Sequence, residues 1–71
     1  MVYKSLKPYT VINYARTPSH GRMSESFGTF TEAMNRFRYW VATWPLERVD
    51  MEHHGRVVCR WDIEGGFTNE D

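Results

Sequence analysis

Phe27-Gly-Thr-Phe-Thr-Glu-Ala-Met-Asn-Arg-Phe-Arg-Tyr-Trp-Val-Ala-Thr-Trp-Pro45 is the stretch whose periodicity decides the fold. Thr29 followed three residues later by Glu32 forms a capping box. The hydroxyl can accept the amide of the third helical residue, and the carboxylate can reach back to the Thr29 amide. Beyond it Phe30, Ala33, Met34, Phe37, Trp40, Val41 and Trp44 recur at three- and four-residue steps. They fill a stripe about 120° wide, as expected of a helix lying on a core. Pro45 ends the pattern, having no amide to donate and restraining the residue before it. Tyr39 falls at the centre of the opposite, solvent-facing side among Glu32, Asn35, Arg36 and Thr43.

Two hairpins flank this helix. Residues 9–15 are rich in β-branched and aromatic side chains and read as a strand. Both of its faces carry apolar residues, Val11 and Ala15 on one side, Ile12 and Tyr14 on the other, so the pattern leaves its buried face open. A Pro- and Gly-bearing turn at 17–21 leads to a returning strand at 22–27. There Met23, Glu25 and Phe27 share a face, and an inward Glu25 marks an edge strand. After Pro45, residues 46–52 and 57–63 form the second hairpin. A three-residue His53-His54-Gly55 loop sets Met51 opposite Val57, Val49 opposite Cys59, Glu52 opposite Arg56 and Arg48 opposite Arg60. In this register Val57, Cys59, Trp61 and Ile63 point inward and Val58, Arg60 and Asp62 outward. The expected architecture is α+β, β-β-α-β-β: an antiparallel sheet with one amphipathic helix packed on one face. Residues 1–63 make one domain, with residues 1–8 an extended lead-in, and 64–71 an acidic flexible tail.

The chain has 71 residues, and one so short buries only about 60% of its unfolded surface. Help from a partner or a homodimer is therefore expected, since Cys59 is the sole cysteine and no internal disulfide can form. A single thiol suits a reducing compartment. Lys4, Lys7 and Pro8 interrupt any leader-like apolar run, and no stretch is long enough to span a bilayer, so a soluble, intracellular protein is expected. Net charge is zero but uneven: residues through Trp44 carry +4 and those after Pro45 carry −4. Three Trp, four Tyr and four Phe exceed what one helix stripe and one sheet face absorb. The surplus belongs at the surface, where aromatics serve binding.

Sequence patterns for chemistry are weak. His53 and His54, near Asp50, Glu52 and Cys59, match no zinc spacing. An inward Cys59 behaves as a small hydrophobe rather than a nucleophile. Ser19-His20 lacks an orienting acid nearby in sequence, and Gly28 and Gly65-Gly66 form no phosphate loop. Neither cofactor, metal nor catalytic residue is expected.

The capping box Thr29, Glu32 and Ala33, the helix aromatic Trp40, and the run 46–61 together resemble small phage-encoded inhibitors of host machinery. The T7-type inhibitor of bacterial RNA polymerase is one such family, and anti-CRISPR proteins are similar in type. The resemblance implies binding and blocking rather than turnover. It matches the expectation of a non-catalytic protein that inhibits or modulates a larger bacterial protein or ribonucleoprotein. Two binding surfaces are expected: the helix's outer face with Arg36 and Tyr39, and the open sheet face with Tyr14, Arg16, Arg48 and Arg60. The alternative is a nucleic-acid-binding accessory protein that uses Tyr9, Arg16 and Arg22 of the first hairpin, with Tyr14 beside them.

Overall fold

The computed structural model describes residues 7–15, 22–43 and 46–70. The expectations placed on residues 1–6, Arg16, the 17–21 turn, Trp44 and Pro45 lie outside them. The elements follow as β1 (Tyr9–Ala15), β2 (Arg22–Phe27), α1 (Phe30–Thr43), β3 (Leu46–His53), β4 (Arg56–Asp62) and β5 (Gly66–Asn69). The five strands form one antiparallel sheet in the order β2-β1-β3-β4-β5. The fold is therefore α+β, with one helix among the described residues, as the helix-and-hairpin pattern requires, plus one strand more than expected. β2 and β3 run parallel with β1 between them, and parallel neighbours need a crossover. α1 is that crossover, and it lies over β1 and β3.

The capping box closes the start of α1. Glu32 N–H donates to Thr29 Oγ1 at 3.3 Å, as expected. The Glu32 carboxylate, however, takes the Thr29 hydroxyl proton at 2.9 Å instead of reaching a backbone amide. Ala33, Phe37 and Trp40 are buried against Val11, Val49, Met51 and Cys59, with Met34 and Val41 packed at the margin. Phe30 stands at the rim, its ring edge 6.0 Å from that of Tyr9. The two-sided β1 resolves in favour of Val11, which is under the helix. Thr10, Ile12 and Tyr14 occupy the other face by alternation.

The second hairpin departs from the expected register, and the departure is instructive. His53 pairs with Arg56, leaving a two-residue turn at His54 and Gly55. Both have positive φ, 52° and 84°, the signature of the type I′ turn that matches strand twist. A two-residue turn alone would set Asp50 against Cys59 and turn Arg60 beneath the helix. A β-bulge between Met51 and Glu52 prevents this: Glu52 pairs with Val57, but Met51 pairs with Cys59, leaving Val58 extra. The added residue restores the alternation, and Val58 packs against the core rather than facing outward. Val57, opposite Glu52, takes the outward side instead. Downstream, Arg60 faces Asp50 and Asp62 faces Arg48. The expected arginine-to-arginine apposition is thus replaced by opposite charges.

The acidic tail is also corrected. Gly66–Asn69 adds β5 to the outer edge of β4, with Phe67 opposite Trp61 and Asn69 opposite Cys59. Asp62 Oδ1 accepts from the amides of Glu64 and Gly65 and so shapes the turn. Phe67 meets Phe37 edge-on at 5.9 Å, which anchors the strand to the helix. Ile63 belongs to this turn, 42% exposed, and not to the core. β2 is an edge strand, as expected, and its inward Glu25 meets Arg36 at 3.5 Å.

Three outcomes follow from these arrangements. Thr29→Ala removes a partner from both the Glu32 amide and its carboxylate, and should lower stability by about 1 kcal/mol in urea titration. Deleting Val58 leaves Met51 opposite Cys59 in an unbroken ladder, so this variant should fold at a cost of about 1–2 kcal/mol for the lost apolar burial. Deleting Arg60 instead turns Trp61 outward and Asp62 inward, and should abolish cooperative thermal unfolding followed by circular dichroism.

Candidate functional site

β3 is the middle strand, and Asp50 lies on its face away from the helix. An acid there would ordinarily be hydrated, yet Asp50 is only 2% exposed. Its cross-strand neighbours explain this: Ile12 stands opposite on β1 and Arg60 opposite on β4. Arg60 Nε donates to Asp50 Oδ1 at 2.8 Å and Nη2 to Oδ2 at 3.4 Å, a two-pronged grip that suits the planar guanidinium. The hydrogen bond to Asp50, and then that carboxylate's charge, push the Arg60 pKa above its ordinary value. Arg60 therefore stays charged at any pH the fold meets.

Arg48 approaches the same carboxylate from two residues back on β3, its Nε 3.4 Å from Asp50 Oδ1. That Nε is shielded from solvent and makes no hydrogen bond, so the contact is one of charge and not of directed bonding. The guanidinium instead lies over the Tyr14 ring, 4.2 Å from its centroid, a cation–π contact. Tyr14 is opposite Arg48 on β1, so sheet register places the stack. Two arginines thus converge on one buried acid. Around them the rim is acidic: Glu70 approaches Arg60 at 4.0 Å, and Glu47, Asp62 and Glu64 line a cleft of about 450 Å³ with Tyr14 and Ile63.

The structure brings Tyr14, Arg48 and Arg60 together as expected residues of one face. Arg16 lies outside the described residues. Arg36 and Tyr39 occupy the helix side of the sheet and form their own contact, with the Arg36 guanidinium 5.3 Å from the Tyr39 ring centroid. The helix pair and the open-face group thus lie on two different surfaces. The nucleic-acid set is split as well. Tyr9 is on the helix side, stacked on His53 at 4.4 Å and 16°, whereas Arg22 pairs with Tyr14 at the edge of the open face. The His53 and His54 rings sit 4.4 Å apart at the turn, and among the described residues no group of three or more His, Cys, Asp or Glu could hold a metal ion. Among the described residues no helix is long and apolar enough to cross a membrane.

Asp50 is the residue sequence reasoning missed. The signal was present, since a two-residue His54-Gly55 turn and one bulge put Asp50 against Arg60, but the shorter loop looked incompatible with the core. No protein-family model, curated protein or solved structure matches the chain.

The two partners of the central ion pair should not be equivalent. Asp50→Leu leaves arginines that reach solvent and can rehydrate, costing about 1.5–3 kcal/mol. Arg60→Leu leaves a buried carboxylate facing only Arg48, and should cost roughly 3 kcal/mol or more. The double variant should cost less than the sum of the two, measured by denaturant unfolding of all four chains.

Proposed function

We propose that this chain is a small non-catalytic binding protein that inhibits or modulates a larger bacterial protein or ribonucleoprotein, acting from a phage genome within the host cytoplasm. The observation that carries the reading is the rigid Tyr14, Arg48 and Arg60 group built on a buried Asp50. Tyrosine and arginine are the residues most often decisive in protein interfaces. Here their geometry is set before any partner arrives: Arg60 is held by two hydrogen bonds and Arg48 by a ring. Side chains already ordered lose less entropy on binding. The face around them is shallow and mixed in charge, a shape that meets another protein surface more readily than it encloses a small molecule. The nucleic-acid alternative gains less support, because Tyr9 is stacked away from Arg22 and the rim is acidic.

Affinity capture from bacterial lysate tests this. The expected result is a saturable, stoichiometric macromolecular partner whose binding weakens at least about tenfold in Tyr14→Ser and in Arg48→Ser. Circular dichroism would verify that both variants fold. Finding no partner, or a partner indifferent to both substitutions, overturns the proposal.

A further inference from the structure

Among the described residues, a row of backbone groups at the edge of the sheet has no neighbouring strand, and the bonding pattern says which ones. His54 N–H donates to the Pro8 carbonyl at 2.9 Å. Backbone groups alternate in direction along a strand, so even-numbered residues of β1 bond toward β3. Tyr9, Val11 and Asn13 then bond toward β2, where they pair with Phe27, Glu25 and Met23. The 3.3 Å bond from Met23 N–H to Asn13 Oδ1 agrees with that direction. It follows that Arg22, Ser24 and Ser26 turn their N–H and C=O groups outward. No described strand lies beyond them.

The space above this edge is also prepared. A groove of about 320 Å³ runs between α1 and β2, with Met23, Tyr39 and Trp40 along it and the Glu25–Arg36 pair beside it. Met23 and Tyr39 are 46% and 48% exposed. A sixth strand would sit about 4.8 Å beyond β2, with its inward side chains against those two residues. We infer that the β2 edge and the α1–β2 groove form a docking site for an extended segment of a partner protein, which adds to the sheet as a sixth strand. This goes beyond the open-face reading and does not depend on it.

The occupant's chemistry follows from the register. Positions opposite Met23 and Phe27 are apolar, since both lie beside Tyr39 or Trp40. The position opposite Glu25 is basic, because that carboxylate stays part exposed beside Arg36 and can take a second cation on the groove side. Positions opposite Ser24 and Ser26 are small and polar. A second copy fits poorly. In a two-fold β2–β2 pairing only residues of one face can oppose each other. One such register sets Glu25 against Glu25, and the next sets each Glu25 against Met23. The register with Met23 against Met23 overlaps by three residues. The main-chain edge supplies attraction and the alternate side chains supply selection.

The probe is a synthetic peptide, acetyl-Ser-Val-Thr-Lys-Thr-Val-Ser-amide, whose side-chain order is the same in both directions, so strand polarity need not be assumed. Titrated into the isotope-labelled full chain, it should shift the amides of Arg22, Ser24 and Ser26 saturably and perturb the Tyr39 ring. It should also slow hydrogen exchange of those three amides at least tenfold. Replacing its lysine with glutamate should weaken binding several-fold. Ser24→Pro removes only an outward N–H, a position where an edge strand tolerates proline, and should abolish binding. Tyr39→Ala, on an exposed helix position, should weaken it and serves if the proline variant does not fold. The inference is overturned by the absence of a saturable shift at millimolar peptide, or by shifts confined to the open face. Protection of β2 that rises with protein concentration alone would likewise overturn it and assign the edge to a second copy.

Discussion

Among the described residues the sheet is covered by a helix on one side only, so every strand residue must be on the correct face for the core to exist. Val11, Val49, Met51 and Cys59 meet Ala33, Phe37 and Trp40 as a single buried cluster. A slip of one residue anywhere along β3 or β4 would exchange this apolar set for Asp50, Arg60 and their neighbours. The type I′ turn and the bulge at Val58 have to be considered together for this reason. The turn gives the tight reversal that strand twist prefers, and the bulge removes the one-residue offset that the turn introduces. Neither is compatible with the core without the other.

The same alignment creates the polar cluster on the opposite face. Once Met51 is fixed opposite Cys59, Asp50 must stand opposite Arg60, and Arg48 opposite both Tyr14 and Asp62. A buried carboxylate is weak evidence of added stability, because desolvation offsets much of the attraction. Its clearer effect is on order: it holds two arginines still at the centre of an otherwise open surface. The core side of the sheet and the proposed binding side are therefore set by one register.

Much of this was legible in the residues. The helix, its cap and its inner stripe follow from Thr29, Glu32 and the three- and four-residue spacing, and β1 and β2 have the expected bounds. What was not legible depended on compensation between two local irregularities. His54 at positive φ is a less obvious turn residue than Asn or Gly, and a bulge leaves no mark in an alternation pattern except an extra apolar residue, here Val58. β5 was hidden for a different reason. Its four residues carry one large apolar side chain, so Phe67 looked isolated until Trp61 and Phe37 were placed beside it. The candidate surface was partly legible in its types, Tyr and Arg, but not in its organising residue, because a lone acid in a strand ordinarily points to water.

The strand order has an electrostatic consequence. In the order β2-β1-β3-β4-β5 the chain never interleaves its halves across the sheet. Lys7, Arg22, Arg36 and Arg38 against Glu25 and Glu32 leave the β2–β1 and helix portion at +2 among the described residues. Arg48, Arg56 and Arg60 against Glu47, Asp50, Glu52, Asp62, Glu64 and Glu70 leave the β3–β5 portion at −3 among the described residues. A protein with no net charge thus has a permanent dipole along the sheet, across the strands. Such a molecule feels little pull from a distant charged surface but a definite torque near one, falling off over roughly 8 Å at physiological salt. It would rotate before it touches, turning its basic β2 flank toward an acidic neighbour and its β5 flank toward a basic one.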